Sequence, residues 1–292
     1  MRSKVGTPIT FIGSDHALAQ KRAAVESLLR DLGSVLVAYS GGVDSALLLL
    51  LAHTVLGDHA AGAIAVSASM APEEVESARE TARHLGVAVH IVKTREFENE
   101  RYLANNPDRC YHCKVALIDE LEPLATRLGL KHIVYGANRD DLGDFRPGQR
   151  AATQRGVRAP LLEVGLTKVE IREISRQLGL STWNKPAMAC LSSRVPHGMR
   201  IDEPLLARIA AAERVLHEVG VRQARVRTHD STARIETDLE SLALLTHPDI
   251  RERIVREFKA LGYAFVTLDL EGFRSGSLNP PKASSGNRDS RQ

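Results

Sequence analysis

Residues 40–45, with the sequence SGGVDS, combine residue types that suit phosphate binding. They follow the apolar run 35–39 and precede the apolar run 46–56, so we expect a turn between a buried strand and a helix. Glycine lets the backbone approach a ligand closely, and the N–H groups that open a helix attract anions. Ser40 and Ser45 add hydroxyl donors, and the Asp44 carboxylate suits Mg²⁺. The candidate phosphate ligands are Ser40, Gly41, Gly42, Val43, Asp44 and Ser45.

The three cysteines form the second chemical feature, because all of them lie in polar segments. Cys110 and Cys113 form a Cys-x-x-Cys pair, which we expect on a loop just before a helix that starts at residue 114. Flanking basic residues would favour thiolates, which suit metal ligation and redox chemistry. Cys190 lies in the aperiodic run PAMACLSSR, where a thiol would be accessible. Structural zinc or chance remains an alternative for the pair, and burial as a small apolar side chain remains one for Cys190.

Composition narrows the classes of partner. The chain has 292 residues, a formal charge of +3 from 39 basic and 36 acidic residues, and 4% aromatic residues. This balance does not call for nucleic acid. No apolar run approaches the roughly 18 residues of a membrane span, and the N-terminus lacks an apolar signal region. We therefore expect a cytoplasmic protein with no membrane and no nucleic acid as a partner.

Alternating strand and helix patterns predict an α/β fold with a doubly wound parallel sheet. The expected strands are 35–39, 63–67, 87–92 and 132–135, and the expected helices are 44–56, 72–85 and 114–128. Ligands of such sheets bind beyond the carboxyl ends of the strands. The phosphate segment follows the first strand at that edge, and Ser67 follows the second.

The pattern changes at Ile201. A helix at 203–219, strands at 222–228 and 232–237, a helical region at 239–261 with a break at His247-Pro248, and a strand at 264–270 predict a small α+β domain. The expected organisation is a flexible N-terminus at 1–17, a nucleotide-binding domain at 18–200, the small domain at 201–274 and a disordered tail at 275–292.

The segment SGGVDS resembles the PP-loop of N-type ATP pyrophosphatases, which cleave ATP between its α and β phosphates. Four further runs extend the likeness: NNPDRCYHCK, YGANRDDLGDFRPG, PAMACLSSR and RVRTHDSTARIE. Together they resemble the LarE family, the ATP-dependent sulfur transferases of nickel-pincer nucleotide biosynthesis. The resemblance covers roughly residues 18–270.

This resemblance implies that ATP and Mg²⁺ adenylate the carboxylates of pyridinium-3,5-biscarboxylic acid mononucleotide, with release of pyrophosphate. Sulfur then displaces AMP and gives thiocarboxylates. In one branch of the family the cysteine at the position of Cys190 gives up its own sulfur. In another, three cysteines hold a [4Fe-4S] cluster that delivers sulfide. The resemblance favours a cluster on Cys110, Cys113 and Cys190, and the sacrificial route stays open.

The resemblance also implies roles for other residues. Asp44 and Asp141 are candidates to orient Mg²⁺, and Asn138 to contact AMP or pyrophosphate; ordinary loop capping is the alternative. Ser67 is a candidate adenosine contact. The candidate substrate ligands are Ser192, Arg194, Arg225, Arg227 and Glu236. Exposed cross-strand ion pairs are the alternative for the hairpin residues.

The family resemblance further implies a homo-oligomer, either a trimer or a hexamer. A tRNA thiolase would also combine a PP-loop with cysteines, but it normally needs a broad basic surface. A PP-loop amide ligase leaves the three cysteines without a role. A zinc-stabilised binding module explains the Cys-x-x-Cys pair and leaves the phosphate segment without one.

Overall fold

The computed structural model describes residues 12–143, 146–186 and 189–274, and these divide into two compact units. The first unit contains the chain up to Leu103 and Asp108–Ala189. The second contains Ala104–Pro107 and the chain from Cys190 onward. The second unit thus begins before Ile201, where the sequence pattern changes.

Asn105 explains why the short segment 104–107 belongs with the second unit. Its side-chain amide donates hydrogen bonds to the carbonyls of Val195, Pro196 and Met199, at 3.3, 2.8 and 3.0 Å. Asn105 is fully buried, so these bonds replace the water that its amide loses on folding.

The first unit contains a four-stranded parallel sheet with helices on both faces. Its strands are β1 (Val35–Ala38), β2 (Ala60–Val66), β3 (Val89–Lys93) and β4 (His132–Tyr135). Its helices are α1 (Ile12–Leu32), α2 (Val43–Leu56), α3 (Pro72–His84), α4 (Glu100–Leu103), α5 (Arg109–Leu128), α6 (Pro147–Gln154), α7 (Pro160–Glu163) and α8 (Lys168–Gln177). The predicted doubly wound α/β fold is confirmed.

The side chains of β1 alternate between two cores. Val35 and Val37 belong to a buried cluster with residues of α1, α2 and α8, whereas Leu36 packs with Leu121 of α5 and Ile133 of β4. A strand with both faces covered has no polar face, which explains the continuous apolar run in the sequence.

The strand order is β3-β2-β1-β4, so the chain runs from β1 through β2 to β3 on one side and then crosses to β4 on the other side of β1. The carboxyl ends of β1 and β4 therefore meet at a topological switch point, where open α/β sheets bind their ligands. The segment after β1 is the predicted phosphate-binding segment, and the segment after β4 begins with Gly136.

Helix α1 begins at Ile12, before Leu18. The flexible N-terminus at 1–17 stays a prediction, and residues 1–11 lie outside the described residues. The apolar periodicity starts only at Leu18, and the polar turn before it is helical because an existing helix propagates readily. The Cys-x-x-Cys pair was expected on a loop but lies in the first turn of α5.

The second unit is the predicted small α+β domain. Its elements are α9 (Glu203–Glu218), β5 (Ala224–His229), β6 (Thr232–Thr237), α10 (Ser241–Thr246), α11 (Pro248–Ala260) and β7 (Phe265–Leu268). Strands β5 and β6 pair antiparallel, and β7 pairs parallel to β6. Pro248 starts α11, which confirms the predicted helix break. The predicted tail at 275–292 lies outside the described residues. None of the helices in the described ranges is long and apolar enough for a bilayer.

Candidate active site

The segment after β1 forms the predicted turn, and its geometry requires glycine at position 41. Gly41 has a φ of +73°, and a Cβ there would lie 2.6 Å from the Cβ of Ala78. Such a distance is far inside van der Waals contact, so the turn packs directly against α3. Gly42 then starts α2 in an extended conformation, and no side chain caps the helix. The first N–H groups of α2 are therefore available to an anion.

Hydroxyl groups connect the two ends of this turn. The Ser45 Oγ lies 3.1 Å from the Ser40 Oγ and accepts a hydrogen bond from the Ser40 N–H at 3.2 Å. It also donates to the Gly42 carbonyl at 3.2 Å. Ser40 is exposed, whereas Ser45 is buried. The structure thus brings together all six residues predicted for phosphate binding, with Ser45 holding the turn and Ser40 on its open side.

The end of β4 lies against the first turn of α2. A Cβ on Gly136 would lie 2.7 Å from the Ser45 nitrogen, so only glycine allows this approach. Asn138 then donates from its Nδ2 to the Asp44 Oδ2 at 3.1 Å. The structure therefore places Asn138 beside the phosphate-binding segment, and its contact with AMP or pyrophosphate stays a prediction.

Asp141 lies one step further from this segment. Its Oδ2 accepts the Asn138 backbone N–H at 2.9 Å, and its Oδ1 lies 2.9 Å from an Arg146 guanidinium nitrogen. Both carboxylate oxygens are thus engaged by protein donors, which is the arrangement of a loop-capping carboxylate. Asp141 shapes the loop that presents Asn138.

A lysine that the sequence pattern does not single out contacts the same segment. The Nζ of Lys168 lies 2.6 Å from both carboxylate oxygens of Asp44. Lys168 opens helix α8, far away in the sequence. In the sequence, the only trace is the run Thr167-Lys168-Val169-Glu170, a capping-box pattern that predicts a helix start and says nothing about the partner of the lysine.

A cavity of about 160 Å³ opens at the carboxyl ends of β1, β2 and β4. Alanines of β1 and β2, two serines of the phosphate-binding turn and the larger side chains of Met70 and Leu117 line it, together with Lys114 and Tyr135. The Lys114 ammonium lies 5.0 Å from the centroid of the Tyr135 ring, a cation–π contact. Burial lowers the pKa of Lys114, and the nearby Cys113 and Cys110 act in the opposite direction. Burial also raises the pKa of Tyr135.

Ser67 follows β2 at the same sheet edge, and a buried carboxylate fixes its side chain. Its Oγ donates to the Glu96 Oε1 at 2.5 Å and lies 2.8 Å from the Ser69 Oγ. Glu96 is only 1% exposed, and its Oε2 has no hydrogen-bond partner among the described atoms. The Ser67 hydroxyl is therefore oriented by the protein, and Glu96 is a further residue that the sequence pattern leaves unmarked.

In the first turn of α5, Cys110 is exposed and Cys113 is half-buried. The Arg109 guanidinium lies 3.8 Å from the Cys110 sulfur, so one expected cation does lie beside the pair. Among the described residues, neither of these cysteines forms a disulfide bond. His112 is buried and lies 3.2 Å from the Asp108 carboxylate, so its ring is already paired.

In the second unit, Cys190 is an exposed free thiol that precedes the 3₁₀ turn Leu191–Arg194. Arg194 is buried and holds this turn: its guanidinium donates to the Cys190 carbonyl at 3.0 Å and forms two bonds with the Glu213 carboxylate, at 2.8 and 2.9 Å. Glu213 also accepts the Val226 N–H at 2.9 Å. A buried Arg–Glu pair thus connects the backbone of the Cys190 turn to strand β5. Ser192 is fully buried in the same turn.

The hairpin residues share a face as predicted, because Arg225 pairs with Glu236 and Arg227 with Arg234 across β5 and β6. Arg227 is buried; it lies 2.8 Å from the Glu236 carboxylate and donates to the Ser193 carbonyl at 2.7 Å. The Arg225 guanidinium is half-buried and lies 5.4 Å from the Phe273 ring. The ion pairs are therefore mostly internal, unlike the exposed pairs considered as the alternative.

Among residues 12–143, 146–186 and 189–274, no three His, Cys, Asp or Glu side chains form a group that could hold a metal ion. Cys110 and Cys113 belong to the first unit and Cys190 to the second. Shared ligation by the three thiols therefore stays a prediction.

Comparison with known proteins agrees with the site. The asparagine synthase family model matches residues 18–141, which include the phosphate-binding segment. A pyridinium-3,5-bisthiocarboxylic acid mononucleotide synthase of Lactiplantibacillus plantarum is 36% identical over 263 residues, covering 90% of this chain and 95% of that protein. This chain belongs to the LarE family.

Two other relatives differ in how much of this chain they match. An uncharacterised protein of Synechocystis sp. is 44% identical over 262 residues, covering 90% of this chain and 98% of that protein. A tRNA-specific 2-thiouridylase of Sphingopyxis alaskensis is 30% identical over 218 residues, but the match covers only 62% of this chain and 56% of that protein. The LarE likeness thus extends over both units. The chain is an ATP-dependent enzyme with the nucleotide-binding fold of this family.

Proposed function

We propose that this LarE family member adenylates the carboxylates of pyridinium-3,5-biscarboxylic acid mononucleotide with ATP and converts them to thiocarboxylates. The main support is the phosphate-binding turn at the switch point of the parallel sheet, with a lysine and an asparagine on its carboxylate. The relative from L. plantarum, which matches along nearly its whole length, is named as the synthase of the bisthiocarboxylic acid mononucleotide.

The first step makes the carboxylate reactive. A carboxylate is a poor electrophile, whereas an acyl adenylate carries AMP as a good leaving group. In this proposal the N–H groups of Gly42 and of the first turn of α2, with the Ser40 hydroxyl, bind the pyrophosphate part of ATP. These donors are held in place before the reaction, so they stabilise charge without reorganisation.

Asp44 fits a Mg²⁺ site, because it supplies carboxylate oxygens beside the phosphate segment and is only partly buried. Magnesium would neutralise phosphate charge there. Asn138 would then orient Asp44 and contact the nucleotide. Asp141 is a weaker candidate for Mg²⁺, because it lies outside the segment 40–45 and is connected to Asp44 through Asn138. Ser67, oriented by Glu96, is the proposed adenosine contact.

Three accessible or half-buried thiols fit the proposed [4Fe-4S] cluster on Cys110, Cys113 and Cys190. Cys110 and Cys113 lie three residues apart in one helical turn, so their side chains share a face. Such a cluster would supply an open iron that carries exogenous sulfide. The alternative is that Cys190 gives up its own sulfur. In both cases, Arg194 and Glu213 hold the backbone that presents Cys190.

The proposed mononucleotide ligands lie on the hairpin and the adjoining turn. Arg225 is half-buried, so its guanidinium suits a bidentate contact with the substrate phosphate. Arg194, Arg227, Glu236 and Ser192 are buried, and we propose that they act mainly by fixing the turn at Cys190 and the strand that carries Arg225.

Anaerobic purification tests the sulfur source. Iron and acid-labile sulfide are measured first, and the protein is then assayed with ATP, Mg²⁺, sulfide and the pyridinium substrate. Loss of iron in each of the variants Cys110→Ser, Cys113→Ser and Cys190→Ser supports shared ligation. A protein mass reduced by one sulfur and two hydrogens after turnover supports the sacrificial route instead.

The same preparation tests the class of substrate and the assembly. Filter binding of tRNA at physiological salt is expected to show no specific retention, whereas tight retention would favour a tRNA thiolase. A homo-oligomer, trimer or hexamer, remains a prediction that mass photometry measures directly.

A further inference from the structure

The ion pair between Lys168 and Asp44 lies inside the proposed ATP site, and the proposed roles above do not use its cation. The ammonium is within 2.6 Å of both Asp44 oxygens, a bidentate contact. Asp44 lies in the first turn of α2, where the helix dipole also favours a negative group. A bound pyrophosphate would therefore share this turn with a carboxylate of its own sign.

The backbone of Lys168 is fixed on several sides. Its N–H donates to the Asp140 carboxylate at 2.8 Å. Thr167 and Glu170 form a reciprocal capping box around it. Glu170 also receives the Lys21 ammonium at 2.7 Å, which connects α8 to α1. The stem of Lys168 thus starts from a defined position, while its four-carbon side chain can still turn.

The Lys168 side chain as a whole is more accessible to solvent than the Asp44 side chain. The side chain of Lys168 is 37% exposed and that of Asp44 only 15%. More of the lysine than of the aspartate is therefore accessible to an incoming anion. A lysine is a compact point charge with three donors, so it can contact phosphate oxygens and Asp44 at the same time.

We propose that Lys168 binds the pyrophosphate part of ATP in the segment 40–45 and stabilises pyrophosphate as it leaves. This inference rests on the proposed function for the reaction itself. A substrate carboxylate oxygen forms a bond to the α-phosphorus, and the bond from that phosphorus to the bridging oxygen breaks. The electron pair stays with pyrophosphate, whose new charge the Lys168 ammonium contacts without giving up its proton.

A second lysine near the turn has a different environment. The Lys185 ammonium lies 2.8 Å from the Glu74 carboxylate and 3.4 Å from the Gly41 carbonyl. It therefore contacts the outer side of the turn and ties it to α3. Lys168 instead contacts the one carboxylate that the turn itself supplies.

Pyrophosphate binding tests the proposal without the pyridinium substrate. Isothermal titration compares the wild type with Lys168→Met, Lys168→Arg and the exposed control Lys131→Met. We expect Lys168→Met to weaken binding by about 10-fold to 100-fold, as for one charge-assisted hydrogen bond. We expect Lys168→Arg to recover part of this loss and the control to match the wild type. Equal affinity of Lys168→Met and wild type would overturn the proposal.

The pyrophosphate affinity of Asp44 variants distinguishes a lysine that binds the anion from one that only forms an ion pair. With magnesium chelated, Asp44→Asn is expected to bind pyrophosphate more tightly than the wild type, because a like charge is removed and Lys168 is released. The double variant with Lys168→Met should lose this gain. A double variant that keeps the full gain would show that Lys168 does not contact the anion.

ATP–pyrophosphate exchange then separates this inference from the proposed function. With the pyridinium substrate, Lys168→Met should lower kcat more than it raises the KM for ATP. If the wild type shows no exchange with this substrate but Lys168→Met still weakens pyrophosphate binding, the substrate assignment fails and the assignment of Lys168 stands. If exchange is normal in Lys168→Met, the role of Lys168 in pyrophosphate release is refuted.

Discussion

The ion pair at the phosphate-binding turn of the first unit and the ion pairs near Cys190 in the second unit differ in their exposure to solvent. At the phosphate-binding turn, Lys168 and Asp44 form a contact that is partly open to solvent. In the second unit, Arg194 with Glu213 and Arg227 with Glu236 are buried. A partly exposed pair can exchange partners with a ligand at low cost, whereas a buried pair loses much when one partner leaves. The first arrangement suits a site that binds and releases charged groups, and the second suits a rigid support for Cys190.

The largest expected effect is the loss of sulfur transfer when the Cys190 thiol is removed. Cys190→Ala should reduce thiocarboxylate formation to the background of the assay, because Cys190 is a cluster ligand in one proposed route and the sulfur donor in the other. ATP–pyrophosphate exchange should continue, since the residues proposed for adenylation lie in the first unit. A variant that loses exchange and sulfur transfer together would contradict this separation of roles.

Breaking the buried pair beside Cys190 tests the support itself. Glu213→Ala should lower the free energy of unfolding by about 3–5 kcal/mol, because Arg194 is left as an uncompensated buried charge. Urea denaturation measures this loss. The double variant Arg194→Met with Glu213→Leu should recover part of it.

The matched control uses an exposed pair on α8. Removing Glu173, which contacts Arg176 at 2.7 Å on the surface, should change stability far less. Similar losses for Glu213→Ala and Glu173→Ala would show that burial does not distinguish the pairs.

Two glycines with the same φ angle test how tightly the phosphate-binding turn packs against α3. Gly41 and Gly33 both have a φ of +73°, but only Gly41 would bring a Cβ against Ala78. Each change to alanine should cost about 1–2 kcal/mol for the left-handed backbone. Gly41→Ala should cost about 1–3 kcal/mol more for the clash, and it should weaken pyrophosphate binding. Equal unfolding free energies in the two variants would refute the packing argument.

The smallest expected effect is a dependence of stability on pH. Burial lowers the pKa of His229, and the Arg234 charge acts in the same direction. Between this lowered folded pKa and a pH of about 6.5, the ordinary value for histidine, the folded state therefore holds fewer protons than the unfolded state. This contribution to stability is present above that pH and is lost as the pH falls through the folded pKa. His229→Gln should flatten the acid side of a urea stability profile relative to the wild type, and an unchanged profile would contradict this assignment.

Local patterns were enough to predict the phosphate-binding turn and the parallel sheet. The segment 40–45 carries its chemistry in consecutive residues, and the strand β4 begins and ends at the predicted residues. The hairpin face was also predictable, because alternation and a short turn fix which side chains lie together. Pro248 marked a helix start for the same local reason.

The partners of these residues were not predictable from the sequence. Lys168 meets Asp44 only because α8 packs beside α2, and Glu96 meets Ser67 because β3 lies beside β2. Arg194 and Glu213 likewise meet through the packing of α9. A charged residue in a helix pattern normally indicates a solvent-facing side, so burial of these charges depends on tertiary contacts that a single sequence does not show.

The short segment around Asn105 affects how the two units can be separated. A C-terminal fragment that starts at Cys190 would include the carbonyls of Val195, Pro196 and Met199 but not the amide that binds them. During synthesis, Asn105 leaves the ribosome before its acceptors exist, so this part of the second unit is completed only after the whole first unit has been made. Joining residues 104–107 to such a fragment by a linker would restore the amide to these three carbonyls.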